Sequence, residues 1–307
     1  MIDPVIFSFS IGGIEFALRW YGVLVMSGAL AGTWLAAQEM KRRGENEEFL
    51  WDAIIILLPV GILGARLWYV ANATLGGNPY YMQNPWQIIN IPAGGLHFYG
   101  GMLFGAAALY WFAKKHKLDL WLLLDSLAPA ALVGQAVARP ANFINQELYG
   151  QPTTLPWGIP IDAAHRLAQY SDMILFPETT RFHPAFAYEM LWNFLVAGLI
   201  IWWLRRNREN DKPGVGFAAW LTLAGVGRVW LELFRPDQPR IPGTDTSITT
   251  IVAVVMALAG IIMLLVRYKK IKLPFAEKWR EKYIMAPPRA EPGEKKPKKR
   301  AKRRQRK

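Results

Sequence analysis

Seven membrane-spanning helices bearing a head made of two long loops, an all-α integral membrane fold, are expected from three observations. The 307-residue chain is 52% hydrophobic, and its mean hydropathy is positive despite a very basic end, which places it among multi-span membrane proteins rather than soluble domains. Apolar stretches able to cross a bilayer core of roughly 30 Å, which takes about 20 helical residues, recur along its length. Two of the segments between them are long and rich in Pro, Gly, Trp and Tyr.

The apolar stretches lie near residues 21–38, 51–71, 98–115, 121–141, 184–204, 214–234 and 248–267. The first begins too late, and without the basic lead-in and small-residue cleavage site, to be a removable signal peptide, so it is expected to be retained. Residues 1–267 then form the membrane domain, with outer loops at 72–97 and 142–183. Residues 268–307 form a basic tail expected to be disordered. The net charge is +13, with +14 carried from Arg267 onward and −1 before it. A tail of this kind is held near anionic lipid headgroups, and no nucleic-acid partner is expected.

Connections after spans one, three, five and seven carry Lys41, Arg42 and Arg43, then Lys114, Lys115 and Lys117, then Arg205, Arg206, Arg208 and Lys212, then the tail. The stretch from Asn72 to Leu96 has no Lys or Arg. The positive-inside rule therefore puts the C-terminus in the cytoplasm and the N-terminus and both long loops outside. Most polar residues near the spans fall at that outer level: Tyr21, Arg66, His97, Tyr99, Arg139, Asn142, His183, Glu189, Arg228, Glu232 and Arg235. Asp125, near the inner end of span four, is the main exception, with stabilisation of a helix N-terminus as its plain explanation. The inner half of the spans otherwise reads as nearly free of charge.

Arg139, Asn142 and Asn145 stand at i, i+3 and i+6, so a continuing helix would align them on one face, although Pro140 invites a kink or an end there. One alternative is an arginine that snorkels, with the amides as caps; the three accompanying polar groups, including Glu147, favour a functional cluster. Arg228, Glu232 and Arg235 form a stripe at i, i+4 and i+7. Two guanidiniums against one carboxylate leave a surplus cation, suited to a two-pronged bond with phosphate. In Gly94-Gly-Leu-His-Phe-Tyr-Gly-Gly101, His97 could titrate near neutrality and Tyr99 could donate to an oxyanion, or the segment could be a glycine-rich turn in an aromatic belt. Glu189 and Asn193, at i and i+4, are expected to make a structural network. The chain has no cysteine, so any thiol in its chemistry must come from a substrate. No zinc-binding, phosphate-loop or nucleophile-elbow motif occurs, so no metal or cofactor is expected.

These residues resemble the prolipoprotein diacylglyceryl transferase family across the chain to about residue 267. The family signature Gly-Arg-x-x-Asn-Phe-x-Asn-x-Glu-x-x-Gly is matched by Arg139, Asn142, Phe143, Asn145, Glu147 and Gly150, with Ala138 in place of the leading glycine. Trp20-Tyr21-Gly22, the segment from Gly64 through Arg66 and Tyr69 to Val70, His183-Pro184 with Tyr188-Glu189, and Arg228 through Glu232 to Arg235-Pro-Asp237 match as well. Many members carry His-Gly-Gly where this chain has Tyr99-Gly100-Gly101, which puts His97, two positions earlier, forward as the substitute.

The resemblance implies seven spans in the bacterial cytoplasmic membrane and transfer of diacylglyceryl from phosphatidylglycerol to the lipobox cysteine of a preprolipoprotein. It assigns the lipid phosphate to Arg139, a second essential role to Arg228, and supporting roles to Tyr21, Asn142 and Glu147. Catalytic candidates are thus Arg139, Arg228, His97, Tyr99 and Glu147; binding candidates are Arg139, Tyr21, Asn142, Asn145, Gly150, Glu232 and Arg235. The competing reading is a transporter or flippase for anionic lipid, which would require polar residues at both membrane levels or an internal repeat.

Overall fold

Continuous apolar sequence between basic or glycine-marked ends folds into long helices, and the computed structural model describes them through residues 2–11, 14–91, 94–207, 211–238, 240–244, 246–277 and 279–287. Helix α1 (Trp20–Arg42) ends on Lys41 and Arg42, cations that suit the negative end of a helix. It is followed by α2 (Glu48–Leu75), the short α3 (Tyr80–Gln83), α4 (Phe98–His116), α5 (Leu120–Ala138) and α6 (Pro140–Ile144). The last three are α7 (Ala185–Arg206), α8 (Val215–Glu232) and α9 (Ile248–Arg267). Asp119 caps α5 by accepting the Trp121 N–H at 2.9 Å, and Ser247 caps α9 by accepting that of Thr250 at 3.0 Å.

Five helical stretches are long and apolar enough to cross a membrane: Trp20–Arg42, Glu48–Leu75, Leu120–Ile144, Ala185–Arg206 and Ile248–Arg267. Helices α4 and α8 occupy the other two expected positions but are shorter and more polar, with Lys114, Lys115 and His116 in one and Arg228 and Glu232 in the other.

Small residues set the packing. A Cβ on Gly32 of α1 would lie 2.9 Å from the Ala130 carbonyl of α5, and one on Gly64 of α2 would lie 2.8 Å from that of Gly100 on α4. On α9, a Cβ at Gly260 would come 2.6 Å from the Ala218 carbonyl of α8. Lipid tails offer no hydrophobic drive for helix association, so such backbone approach supplies the attraction through van der Waals contact. Helix α5 is central, packing against α1, α7 and α8, while α4 leans on α2.

Two β features were not expected. Strands β1 (Val5–Ile11) and β2 (Ile14–Arg19) pair antiparallel ahead of α1, with Phe9 stacked on Phe16 at 5.4 Å. Phe7 and Phe9 alternate with Ser8 and Ser10, a period of two that specifies a strand. The second long loop folds around a three-stranded sheet, β3 (Pro152–Thr153), β5 (Arg181–Phe182) and β4 (Ile159–Pro160), over a small core of Tyr149, Ile161 and Phe182. Each long loop is organised by one buried arginine. Arg66 donates to the carbonyls of Gln87, Ile88, Gly94 and Gly95, and Arg166 to those of Ile161, Phe176 and Pro177.

The opposite end of the bundle departs from expectation twice. It is rich in charge: Glu39, fully buried, receives Arg42, Arg43 and Arg205, while Asp211 receives Arg42 and Arg43. Asp125 does stabilise a helix N-terminus, but that of α8, accepting the Gly214 and Phe217 N–H groups at 2.5 and 2.7 Å. Nor is the tail loose from residue 268. Described residues of its first part dock here, Tyr283 donating to Asp125 at 2.8 Å while the N–H groups of Ile284 and Ala286 reach Asp119 and Glu45. The expectation failed because these acceptors are the ends of distant helices. The tail beyond residue 287, where disorder was also expected, lies outside the described residues.

Candidate active site

The signature segment is built at a break in a helix. Pro140 has no N–H to donate, so α5 stops at Ala138 and the chain turns through Arg139 into the single turn of α6. Asn145 closes that turn. Gln146 and Leu148 then take left-handed backbone, with φ of 53° and 56°, which is uncommon for residues with a side chain. Gln146 is held there by exchanging two hydrogen bonds with Asp162, at 2.6 and 2.8 Å. The turn folds Glu147 back on the helix end, where it accepts the amide N–H groups of Asn142 at 2.8 Å and Asn145 at 3.4 Å.

Arg139 sits at the centre. Its Nη1 donates to Asn142 Oδ1 at 3.2 Å, its Nη2 pairs with Glu189 of α7, and its Nε is buried without an acceptor. Asn145 therefore bonds Glu147 and not Arg139, so the three-residue face foreseen for a continuous helix is replaced by a chain Arg139–Asn142–Glu147. Glu189 was expected to serve structure with Asn193. It is instead the ionic partner of Arg139, and only Asn193, 3.4 Å from Gln135, keeps the structural part.

Helix α8 brings the second cation. Arg228 lies 3.4 Å from Glu232, which also accepts the Ser247 hydroxyl of α9 at 2.6 Å. Arg235 turns away from Glu232 and grips Asp237 with Nε and Nη2 at 3.0 and 2.6 Å. The surplus cation expected from this stripe is thus absent: Arg139, Arg228 and Arg235 each have a carboxylate. The Asp237 carboxylate was left out of the count, and Glu189 comes from another helix. The Glu189 charge also acts on Arg228 and Arg235, so the three arginines share one electrostatic neighbourhood. Burial would raise the Asp237 carboxyl, but the Arg235 hydrogen bonds outweigh it and hold it below the usual carboxylate range.

The remaining candidates divide. Gly150 donates its N–H to the His183 carbonyl at 2.7 Å, and a Cβ there would lie 2.7 Å from both His183 and the Phe234 carbonyl. It is a close approach between the loop and the end of α8. Tyr21 is in the first turn of α1, which packs on α5 and α6, and half of it is exposed. His97 caps α4, its ring 5.5 Å from Tyr99 and 6.4 Å from Trp68, with Nδ1 buried and unpartnered. Among the described residues no hydrogen bond, ion pair or ring contact joins His97 or Tyr99 to Arg139, Arg228 or Glu147. The segment from His183 to Tyr188 closes on itself in a way the spacing did not foretell: Tyr188 receives the Trp157 indole N–H at 2.7 Å and meets His183 Nδ1 at 3.0 Å, with Phe234 and Trp230 around it. Burial lowers the His183 pKa, favouring the neutral ring. Among the described residues no group of His, Asp and Glu could hold a metal ion.

Comparison with known proteins agrees with the signature. Residues 4–266 match the family described as prolipoprotein diacylglyceryl transferase. Proteins named phosphatidylglycerol–prolipoprotein diacylglyceryl transferase are similar over most of both chains. The one from Synechocystis sp. is 36% identical over 267 residues, 86% of this chain and 90% of the relative. That from Bacillus mycoides is 35% identical over 254 residues, covering 83% and 89%, and that from Chloroflexus aggregans 34% over 243 residues, covering 77% and 78%. With the signature, the paired arginines and these matches in agreement, the chain belongs to the prolipoprotein diacylglyceryl transferase family.

Proposed function

We propose that this chain transfers the diacylglyceryl group of phosphatidylglycerol to the lipobox cysteine of preprolipoproteins, the first step of bacterial lipoprotein maturation. The cysteine sulfur attacks the glycerol carbon that bears the phosphate ester. A carbon–sulfur bond forms, the carbon–oxygen bond breaks, and glycerol phosphate leaves with the electron pair. The observation that carries this reading is Arg139, placed by a proline break at the end of α5 and sharing a neighbourhood with Arg228.

Preplaced guanidiniums stabilise charge that develops on the departing phosphate, and do so best where water is excluded. Because each arginine is already paired, the phosphate enters by taking hydrogen bonds now made to carboxylates. Arg228 is the most open to this, since its close partner lies at 3.4 Å and not at hydrogen-bonding distance. Asn142, Asn145 and Glu147 hold the Arg139 side chain to the helix end; Tyr21, Gly150, Glu232 and Arg235 complete the binding region. The thiol, with an unperturbed pKa of about 8.5, gives its proton to His97, Tyr99 or Glu147, or ionises in the field of the arginines. Full transfer by His97→Gln would remove the imidazole from that set.

Seven helices, α1, α2, α4, α5, α7, α8 and α9, cross the bacterial cytoplasmic membrane in this reading, with the folded second loop outside and the basic tail among anionic headgroups at the cytoplasmic face. The distribution of Lys and Arg supports that orientation. Both substrates reach the outer mouth laterally from the bilayer, and holding them together supplies proximity. The test combines purified protein, phosphatidylglycerol labelled in an acyl chain, and a lipobox peptide. Label moves to the peptide, and Cys→Ser in the peptide stops it. Absence of transfer to the cysteine peptide overturns the reading.

A further inference from the structure

At the other end of the bundle, where the described residues of the segment 268–287 dock beside the ends of α8 and α9, a cavity of about 320 Å³ opens. Helix α9, at 20 residues, is about 30 Å long, so this cavity is one bilayer core away from Glu232 and Ser247. Its lining includes four cations, Lys212, Arg267, Lys269 and Lys272, against two carboxylates, Glu277 and Glu281.

Existing partners account for part of this charge. Lys212 donates to the Arg267 carbonyl at 3.3 Å and lies 3.4 Å from Glu281, and Lys269 is 2.9 Å from the same carboxylate. Lys272 has no ion pair among the described residues. Arg267 is 5% exposed, its guanidinium 4.5 Å from the Trp279 ring and 5.2 Å from that of Trp121. Nη1 donates to the Arg280 carbonyl at 3.0 Å, but Nε and Nη2 are buried with no acceptor. Those two atoms form one edge of the guanidinium, the edge that Arg235 presents to both oxygens of Asp237. Rings satisfy the faces of a guanidinium and leave its in-plane donors unanswered, and a buried charged donor without an acceptor is costly.

We propose that this cavity is a second anion site that binds a phosphate group, with Lys212, Arg267, Lys269 and Lys272 in its lining. The site is independent of the transfer reaction at the outer end. Val266, Ile271 and Leu273 also line it, which suits the phosphate of an acidic phospholipid over free phosphate, because a lipid brings apolar surface with its charge. The docked segment supplies most of the lining, so an occupant fastens that segment to the bundle.

The test uses full-length protein in detergent micelles with hydrogen exchange followed on peptides from 268–287. Phosphatidic acid slows exchange there about tenfold or more, and phosphatidylcholine does not. Protection of equal size by inorganic phosphate assigns the site to the free ion, and its absence assigns it to lipid; either supports a phosphate site. Lys269→Gln with Lys272→Gln abolishes the protection while leaving diacylglyceryl transfer unchanged, and Lys272→Gln alone, which breaks no ion pair, weakens it. No protection from either anion, or protection undiminished in the double variant, overturns the proposal.

Discussion

The bundle carries charge at both ends, and the two ends are organised differently. At one, Glu39 is shared by three arginines and is wholly buried, and Arg43 and Asp211 expose 2% and 6% of their side chains. At the other, Arg139 and Arg228 meet one carboxylate each and keep about a fifth of the side chain exposed. A carboxylate shared by three arginines from two helices ties those helix ends together, so it serves the fold. Single pairs at a half-open surface exchange partners at lower cost, as the proposed chemistry requires. A flippase needs polar groups at both levels, and both ends of the bundle have them, but the cluster of Glu39 and Asp211 is engaged in joining α1 to α7 and to the segment before α8.

Removing a charge at each end separates these roles, and the largest effect falls at the Arg139 end. Arg139→Ala lowers transfer by about a thousandfold, the scale lost with a preplaced donor to developing charge, while the protein remains folded by size-exclusion chromatography. Glu39→Ala does the reverse. It leaves three guanidiniums without their common partner and costs about 3–5 kcal/mol of stability, seen as a lower unfolding midpoint, with transfer per folded molecule retained. If Glu39→Ala instead abolished turnover at unchanged stability, the division between the ends would fail.

A smaller effect sharpens the Arg139 end. Glu189→Gln keeps the shape and removes the charge that fixes Arg139; transfer falls about tenfold, and stability changes by less than about 1 kcal/mol, as for partly exposed pairs. The smallest effect concerns pH. The Asp237 carboxyl is held below its usual range, so its contribution to stability is complete above the unfolded value of about 3.9 and fades as pH falls through the lower folded value. Between pH 7 and 5 Asp237→Asn therefore shifts the unfolding midpoint by a constant amount, and the shift shrinks only below about pH 4.

Much of this was legible in the chain. The helices fall within a few residues of the apolar stretches, and the signature from Arg139 to Gly150 led to the cluster that the structure assembles. The hairpin of β1 and β2 was overlooked although its alternation was present, because the segment was read only as a lead-in to the first span. Pro140 marked the break in the helix, but not that the turn after it would fold Glu147 back onto Asn142. The left-handed backbone at Gln146 and Leu148 has no local cause, since neither is a glycine; Asp162, sixteen residues on from Gln146, holds it. The apparent surplus cation was an error of neighbourhood. Within a helical stripe only Glu232 was visible, and the partners that complete the balance come from α7 and from the loop after α8.

The linear order of residues by itself determined which stretches form long apolar helices and which short motif marks the family. Both depend on near neighbours: a span needs only sufficient apolar length, and a motif only fixed spacing. Tertiary structure decided that Arg139 holds Glu189, that Asp125 caps a helix other than its own, and that the start of the tail is a docked strap. Those outcomes depend on residues 50 to 165 positions apart meeting across the bundle, and Coulomb attraction and hydrogen bonding act over a few ångströms whatever the separation along the chain.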